Sequence, residues 1–395
     1  MSDPQTAVDI TDHGRYYALS IKKIAKASLK IILPALFVLV CLEGLMIIFE
    51  PYLFKGFYEY DPDLGFRVRA HAPSFDGTLT NQFGFNDRDY PLQKTPGVFR
   101  ILVVGDSFSW AGGREGNYTA VLERMFEQRD GSHKIDVINA GYSMTHTGEQ
   151  LAMLRKFGLQ YNPDLVVLGF FVGNDFVDAD PDRKRIIVNG LYVDISRSHE
   201  HKLLGYPIIR QSRLLLFIQQ KYKVWAESRK AKTEPATKQP GSFAEETYLG
   251  IERSRLEFFN TSPSRPKHLQ ANVDYILQSI SEMDALLKSR NIKLVVAIFP
   301  DEFQVKEPLL KAVFEKYKLK PEDYDLKYAQ NLLRGFLESR GIPYVDFLER
   351  FQAEGKKRDL YKLRDSHWNE AGNQLAAEIL FEDLGKRVES SNPSK

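Results

Sequence analysis

Four short stretches of this sequence combine residue types suited to nucleophilic chemistry: Gly105-Asp106-Ser107-Phe108-Ser109, Asn139-Ala140-Gly141-Tyr142, Gly173-Asn174-Asp175 and Asp365-Ser366-His367-Trp368. A serine hydroxyl is a weak nucleophile until a base takes its proton, and a histidine does so best when a third group fixes its tautomer. Acyl chemistry also needs N–H donors where charge develops on the carbonyl oxygen. Ser107, His367 and Asp365 have the types for nucleophile, base and orienting acid. The backbone amides of Ser107 and Gly141 and the side-chain amide of Asn174 could supply the oxyanion donors. Taken singly, each has a plainer role: Ser107 as a helix cap, Asn174 as a turn residue, His367 as a residue at a helix entry. Only a fold that brings all four stretches together makes them a site.

The apolar pattern supplies such a fold. Phe99 to Asp106, Ile135 to Ala140, Leu165 to Val172, Lys293 to Phe299 and, more weakly, Pro343 to Phe347 are apolar runs rich in Val, Ile and Leu. Such continuous runs indicate strands buried on both faces, as in a parallel sheet. Helical stretches follow or precede them at about Tyr118–Gln128, Thr147–Leu159, Leu269–Ser289 and Asn369–Lys386. Strands alternating with helices predict an α/β doubly wound, flavodoxin-like parallel sheet of about five strands with helices on both faces. Ligands in such sheets bind outside the carboxyl ends of the strands, where the first three stretches lie. The fourth enters the last helix and can return to the same edge.

This core occupies residues 99–388, interrupted by an insertion at about 176–265 with no clean strand–helix–strand unit. The insertion holds an amphipathic piece, Ser212 to Lys230, and a Pro- and Lys-rich stretch, Lys232 to Gly241, read as a disordered tip near 231–245. It either partly covers the site or is a surface excursion. Residues 50–98 read as a lead-in with one or two short strands.

Ahead of the lead-in, Ile31 to Phe49 forms an apolar run of 19 residues with one charge, Glu43. At about 1.5 Å per residue it matches a hydrocarbon core of roughly 30 Å, which predicts one N-terminal transmembrane helix. About 30 residues precede the run and no small-residue cleavage site follows it, against a signal peptide. Arg15, Lys22, Lys23, Lys26 and Lys30 precede it, and only Lys55 with Glu50 follows closely. That bias leaves residues 1–30 as a cytoplasmic tail and the catalytic domain periplasmic or extracellular. Glu43 then lies in the outer half of the span, as a helix-contact or partner site or as a tolerated off-centre charge.

Gly105-Asp106-Ser107, Gly141, Gly173-Asn174-Asp175 and Asp365-x-His367 together resemble the four spaced blocks of the SGNH hydrolases, also called GDSL esterases. The Ser, Gly, Asn and His of that family name fall here on Ser107, Gly141, Asn174 and His367, and the resemblance spans residues 105–375. The lead-in, with Gly84-Phe85-Asn86-Asp87-Arg88, looks like that of membrane-anchored bacterial members. The resemblance implies Ser107 as nucleophile, His367 as base, Asp365 as its partner, and an oxyanion hole from Ser107, Gly141 and Asn174. One departure stands out: the commonest family pattern places Asp three residues before His, and that position is Arg364 here. A similar Asp-x-His-Trp arrangement occurs in SGNH-like proteins that acetylate bacterial exopolysaccharides. The Gly-Asp-Ser-Phe-Ser context argues against an α/β-hydrolase nucleophile elbow.

The expected activity is hydrolysis of an acetyl or short-acyl ester on an envelope glycan or lipid. The alternatives are an O-acetyltransferase acting on an envelope polysaccharide, which shares the same acyl-enzyme, and a catalytically inactive envelope scaffold. The expected partners are the acylated carbohydrate or lipid and the bilayer. Net charge is +2, from 54 basic and 52 acidic residues, and no basic stripe interleaves with aromatics, so nucleic acid is not expected. No His/Cys/Asp cluster has metal-ligand spacing and no phosphate-binding glycine loop is present, so neither metal nor cofactor is expected. His146, near the second strand end, reads as a surface-loop histidine, the alternative being that it approaches the site, and His133, His199, His201 and His268 fall in polar stretches. The lone cysteine, Cys41, lies in the apolar run and excludes an intrachain disulfide.

Overall fold

The computed structural model describes residues 30–49, 52, 56–130, 135–179, 185–188, 191–194, 212–233 and 242–391. The predicted cytoplasmic tail, apart from Lys30, lies outside them, as do Glu50, Lys55, His133, His199, His201 and residues 234–241 of the predicted disordered tip. The chain divides into two compact units: Met1–Gly56 with Ile187–Thr233, and Phe57–Ile186 with Glu234–Lys395.

In the larger unit, β1 (Tyr58–Glu59) and β2 (Arg67–Val68) form a short antiparallel pair. They precede a five-stranded parallel sheet made of β3 (Phe99–Gly105), β4 (Ile135–Asn139), β5 (Leu165–Phe171), β8 (Lys293–Phe299) and β9 (Tyr344–Asp346). Two further strands, β6 (Arg185–Val188) and β7 (Leu191–Asp194), make a separate two-stranded sheet that falls mostly in the smaller unit. The large sheet runs β4-β3-β5-β8-β9, the doubly wound order in which the chain reverses its direction of travel between β3 and β5. Val103 pairs with Asn139 and Gly105 with Gly169, so the three strands end on one edge of the sheet, β4 two residues short of β3 and β5 two residues beyond it.

Alternation along each strand sorts side chains into two cores, because successive Cβ atoms of a strand point to opposite faces. Ile101, Val103, Leu165, Val167, Val295 and Ala297 face one side, where helices Tyr118–Asp130 and Glu370–Ser391 bring Leu122, Phe126, Leu375 and Leu384. Leu102, Val104, Val166, Leu168, Val296 and Ile298 face the other, against Leu151 and Leu154 of Thr147–Lys156, Ile276 and Ile280 of His268–Lys288, and Leu333 and Leu337 of Tyr328–Arg340. Both faces are therefore covered, which is why these strands read as unbroken apolar runs. The helix Tyr328–Arg340, and Glu307–Tyr317 before it, fill an interval between β8 and β9 that the apolar pattern left unassigned.

The C-terminal part of the predicted insertion is not a surface excursion. The helix Glu245–Leu256 buries Tyr248, Leu249, Glu252 and Leu256, and Phe258 and Phe259 behind it are fully enclosed. Phe258 stacks on Phe176 at 4.6 Å between ring centroids. In the smaller unit, Lys30–Phe49 is one apolar helix and Arg213–Thr233 another helix.

Candidate active site

β3 ends at Gly105, and Asp106 turns the chain into a short helix, Ser107–Trp110, by accepting the Phe108 N–H at 2.9 Å. An N-cap acid of this kind satisfies one of the amides that a helix start leaves without a partner. Ser107 is thereby the first helical residue, half-buried at the carboxyl edge of the sheet. Its Oγ lies 2.9 Å from His367 Nε2, and His367 Nδ1 lies 3.1 Å from Asp365 Oδ1. The side chains of His367 and Asp365 remain about a quarter exposed, at 24% and 26%, so the hydrogen-bonded chain is open to substrate. Lys362 Nζ stands 3.8 Å from the other Asp365 oxygen.

The two-residue spacing works because the loop is folded tightly. Tyr361 and Trp368 form an antiparallel bridge, and the Lys362 N–H donates to the His367 carbonyl at 2.8 Å. Arg364 and Ser366, on either side of Asp365, adopt left-handed φ values of 52° and 62°. Non-glycine residues hold that conformation only when their surroundings fix it. The fixing contacts come from the insertion: Ser366 Oγ donates to Glu252 Oε1 at 3.1 Å, and the Phe243 N–H donates to the Arg364 carbonyl at 3.0 Å. From below, Trp368 is buried against Phe108, Phe299 and Phe351, with centroids 4.9, 4.8 and 5.1 Å away, and the His367 ring lies 5.2 Å from Phe108.

Ser109 has a different role from Ser107. It is fully buried, shares a 2.7 Å hydrogen bond with the Tyr118 hydroxyl, and is packed so closely that a Cβ on Gly141 would come within 2.2 Å of its own Cβ. Gly141 thus permits close packing against Ser109. Its N–H, expected to face the oxyanion, donates instead to Asn139 Oδ1 at 2.9 Å, while Asn139 Nδ2 donates to the Ser109 carbonyl at 2.6 Å. An oxyanion would have to share that donor. Asn174 follows β5, its side-chain oxygen buried without a hydrogen-bond partner. The amide nitrogen is then the side-chain donor it can offer to a substrate. The Ser107 N–H, first in its helix, has no intrahelical acceptor.

Charge is concentrated beneath these residues. Burial pushes the Asp106 carboxyl up to about 6, against the opposing pull of the Phe108 N–H and of the His367 and Arg255 charges. Burial, then the nearby Asp106, raises Asp175 well above the usual carboxylate range. Arg255 pairs with Glu252 at 2.9 Å and Asp301 at 3.7 Å, and its guanidinium lies 5.2 Å from the Phe171 ring centre. Glu252, Arg255 and Asp301 were not singled out from sequence. Asp301 carried a usable signal, since it follows the fourth long strand just as Ser107 and Asn174 follow the first and third.

The lead-in also reaches the site. Asn86 Nδ2 donates to the Trp110 carbonyl at 3.1 Å, and Asp87 Oδ2 accepts the Asn139 N–H at 2.7 Å. A cleft of about 530 Å³ opens beside it, lined by Phe57, Tyr58, Pro73, Phe75, Trp110 and Ser143. Trp110 is three residues beyond Ser107 on one helix, and such positions are about 5–6 Å apart. His146 is buried rather than on a surface loop, 5.5 Å from the Tyr275 ring at the start of Thr147–Lys156. Its enclosure follows from helix His268–Lys288 packing across that start.

A family model described as an SGNH hydrolase-like domain, acetyltransferase AlgX, matches residues 258–395. No curated protein matches the chain. Among solved structures, an acetyl xylan esterase, AlAXEase, is 17% identical, with 72% of this chain and 100% of that chain covered and a TM-score of 0.41. A catalytic mutant of Axe2, an acetylxylan esterase from Geobacillus stearothermophilus, is 11% identical over 74% and 97% of the two chains, TM-score 0.39. A lipase/acylhydrolase from Enterococcus faecalis is 13% identical over 73% and 97%, TM-score 0.38.

Proposed function

Because the chain belongs to the SGNH hydrolase family, we propose that it is an acyl-serine enzyme that takes a short acyl group, such as acetyl, from an ester and passes it to water or to a hydroxyl of an envelope glycan. The observation that carries this reading is the continuous chain Ser107 Oγ, His367 Nε2, His367 Nδ1, Asp365 Oδ1, with links of 2.9 and 3.1 Å. Ser107 Oγ attacks the acyl carbon as His367 Nε2 takes its proton, and Asp365 stabilises the imidazolium. The Ser107 N–H, Asn174 Nδ2 and, once shared with Asn139, the Gly141 N–H hold the oxyanion. The ester C–O bond breaks, and the leaving alkoxide takes the proton from His367. In the second half, His367 deprotonates the acceptor oxygen, which attacks the acyl carbon, and Ser107 Oγ leaves and recovers its proton.

Hydrolysis and transfer differ only in the acceptor. Transfer is the second reading, favoured by the Asp-x-His-Trp loop and by the acetyltransferase description of the matching family model. The aromatic cleft beside Trp110 offers flat apolar surfaces of the kind a sugar ring can lie against, which supports a carbohydrate on one side of the reaction. Lys30–Phe49 anchors the chain in a membrane, with the positive flank cytoplasmic and the catalytic unit on the far side. The test is to supply an activated acetyl ester with and without an unacetylated envelope glycan. Acetate release alone supports hydrolysis, acetylated glycan supports transfer, and neither product overturns the proposal.

A further inference from the structure

We propose that the helix Arg213–Thr233 is a second membrane element, lying along the headgroup region of the outer leaflet and fastened at its start to Glu43 of the spanning helix. This rests on the reading of Lys30–Phe49 as a membrane span. Glu43 accepts three hydrogen bonds from the start of the second helix: from Ser212 Oγ at 2.6 Å, the Arg213 N–H at 2.7 Å and the Leu214 N–H at 3.0 Å. Along Lys30–Phe49 every residue is exposed except Glu43, Gly44 and Met46, which are half-buried. Two liabilities cancel at this point. A carboxylate within a bilayer is costly without a partner, and a helix start carries amides that hydrocarbon cannot satisfy. An anion is also favoured at the positive end of the helix dipole.

Glu43 lies six positions before the helix end at Phe49, so the junction sits about 9 Å along the axis from that end. The second helix therefore begins below the surface of the leaflet and continues with a face suited to that depth. Leu215, Ile218, Tyr222 and Trp225 are 38%, 52%, 64% and 49% exposed, and their spacing of three, four and three residues makes one stripe. The Tyr222 and Trp225 rings are 5.7 Å apart, and the Arg229 guanidinium lies 4.4 Å from the Trp225 ring. Arg213–Thr233 carries six basic residues against Glu227 alone, too many charges to cross a bilayer. An apolar stripe with Tyr and Trp, on a helix with a net positive charge and with Arg229 against Trp225, suits a helix lying in the interface near anionic headgroups. The occupant of the stripe is phospholipid, because the stripe continues from a junction already inside the span.

The test reconstitutes the full chain in phosphatidylcholine vesicles, with and without anionic phosphatidylglycerol, using acyl chains either brominated or plain. Trp110 and Trp368 are 6% and 1% exposed, so bromine should quench chiefly Trp225. We expect a quenched component that is absent in Trp225→Phe, stronger with anionic lipid, and reduced at least twofold in Glu43→Ala while labelling of Ser107 is unchanged. Equal quenching in wild type and Trp225→Phe, in protein that resists alkaline extraction, overturns this inference and leaves the anchor standing. Cross-linking between copies through Ile218→Cys in a Cys41→Ser background, with Trp225 unquenched, overturns it in favour of a self-association surface. Extraction of the chain by alkali overturns the anchor, and this inference with it.

Discussion

Ser366, caught between the acid and the base of the hydrogen-bonded chain, donates its hydroxyl to Glu252 at 3.1 Å, and both residues are buried, at 2% and 0% exposed. Burial, then Asp301, pushes the Glu252 carboxyl well above the usual range, against the pull of the Arg255 charge. Removing that hydroxyl leaves a left-handed residue without its tether. Ser366→Ala should lower kcat about 10-fold with little change in KM, and cost only about 1 kcal/mol, because Glu252 Oε1 keeps its bond from Arg255 Nη1 at 2.9 Å. Glu252→Gln, which keeps an acceptor in place, should retain most activity. Steady-state kinetics beside thermal melts check this, and a destabilised Ser366→Ala with full kcat would restrict the contact to a folding role.

Asp365 reaches His367 despite lying one residue closer than the common spacing, because Arg364 and Ser366 are both left-handed. Loss of the orienting carboxylate in a serine triad costs up to about 10⁴ in kcat. Asp365→Asn should therefore fall between wild type and a nearly inactive His367→Ala, with Ser107 still reactive to an acylating probe but slower. Wild-type turnover in Asp365→Asn would reduce the site to a Ser107–His367 dyad.

Asn174→Ala tests the oxyanion donors. Since the Gly141 N–H is already engaged by Asn139 at 2.9 Å, Asn174 should carry a large share of the stabilisation. We expect kcat to fall by about 10²–10³ in a folded variant. An unchanged kcat would place the donors elsewhere.

The buried Asp106 makes stability depend on pH in a stated direction. Its carboxyl titrates near 3.8 when exposed and at about 6 in the folded protein, so between those values the folded chain binds more protons than the unfolded one. A raised acid of this kind contributes fully below about pH 4 and loses its contribution as pH rises through 6. Asp106→Asn cannot titrate, so its melting temperature, followed from pH 4 to 7, should fall less than that of wild type. Parallel pH profiles for the two proteins would contradict the assignment.

The sheet and the four stretches at its edge were legible because each rests on local pattern: β3, β5 and β8 are unbroken apolar runs, and Ser107 and Asn174 follow the turns that end such runs. Less legible were contacts between segments distant in sequence. Glu252 and Phe243 lie in an insertion of mixed composition, and nothing local marks them as braces for Arg364 and Ser366 more than a hundred positions later. His146 looked like a loop residue because its cover, Tyr275, comes from another helix. The Gly141 amide shows the same limit: the glycine was visible, but its commitment to Asn139 depends on how Ser109 packs between them.

The nucleophile is the central claim, and Ser109 two residues away is its nearest competitor. A fluorophosphonate probe, with the modified peptide located by mass spectrometry, reads the reactive serine directly. The structure, with Ser107 Oγ 2.9 Å from His367 Nε2 and Ser109 fully buried, predicts one label on Ser107, lost in Ser107→Ala and greatly slowed in His367→Ala. A label that persists in Ser107→Ala, or that maps to Ser109 in the wild type, would contradict the account.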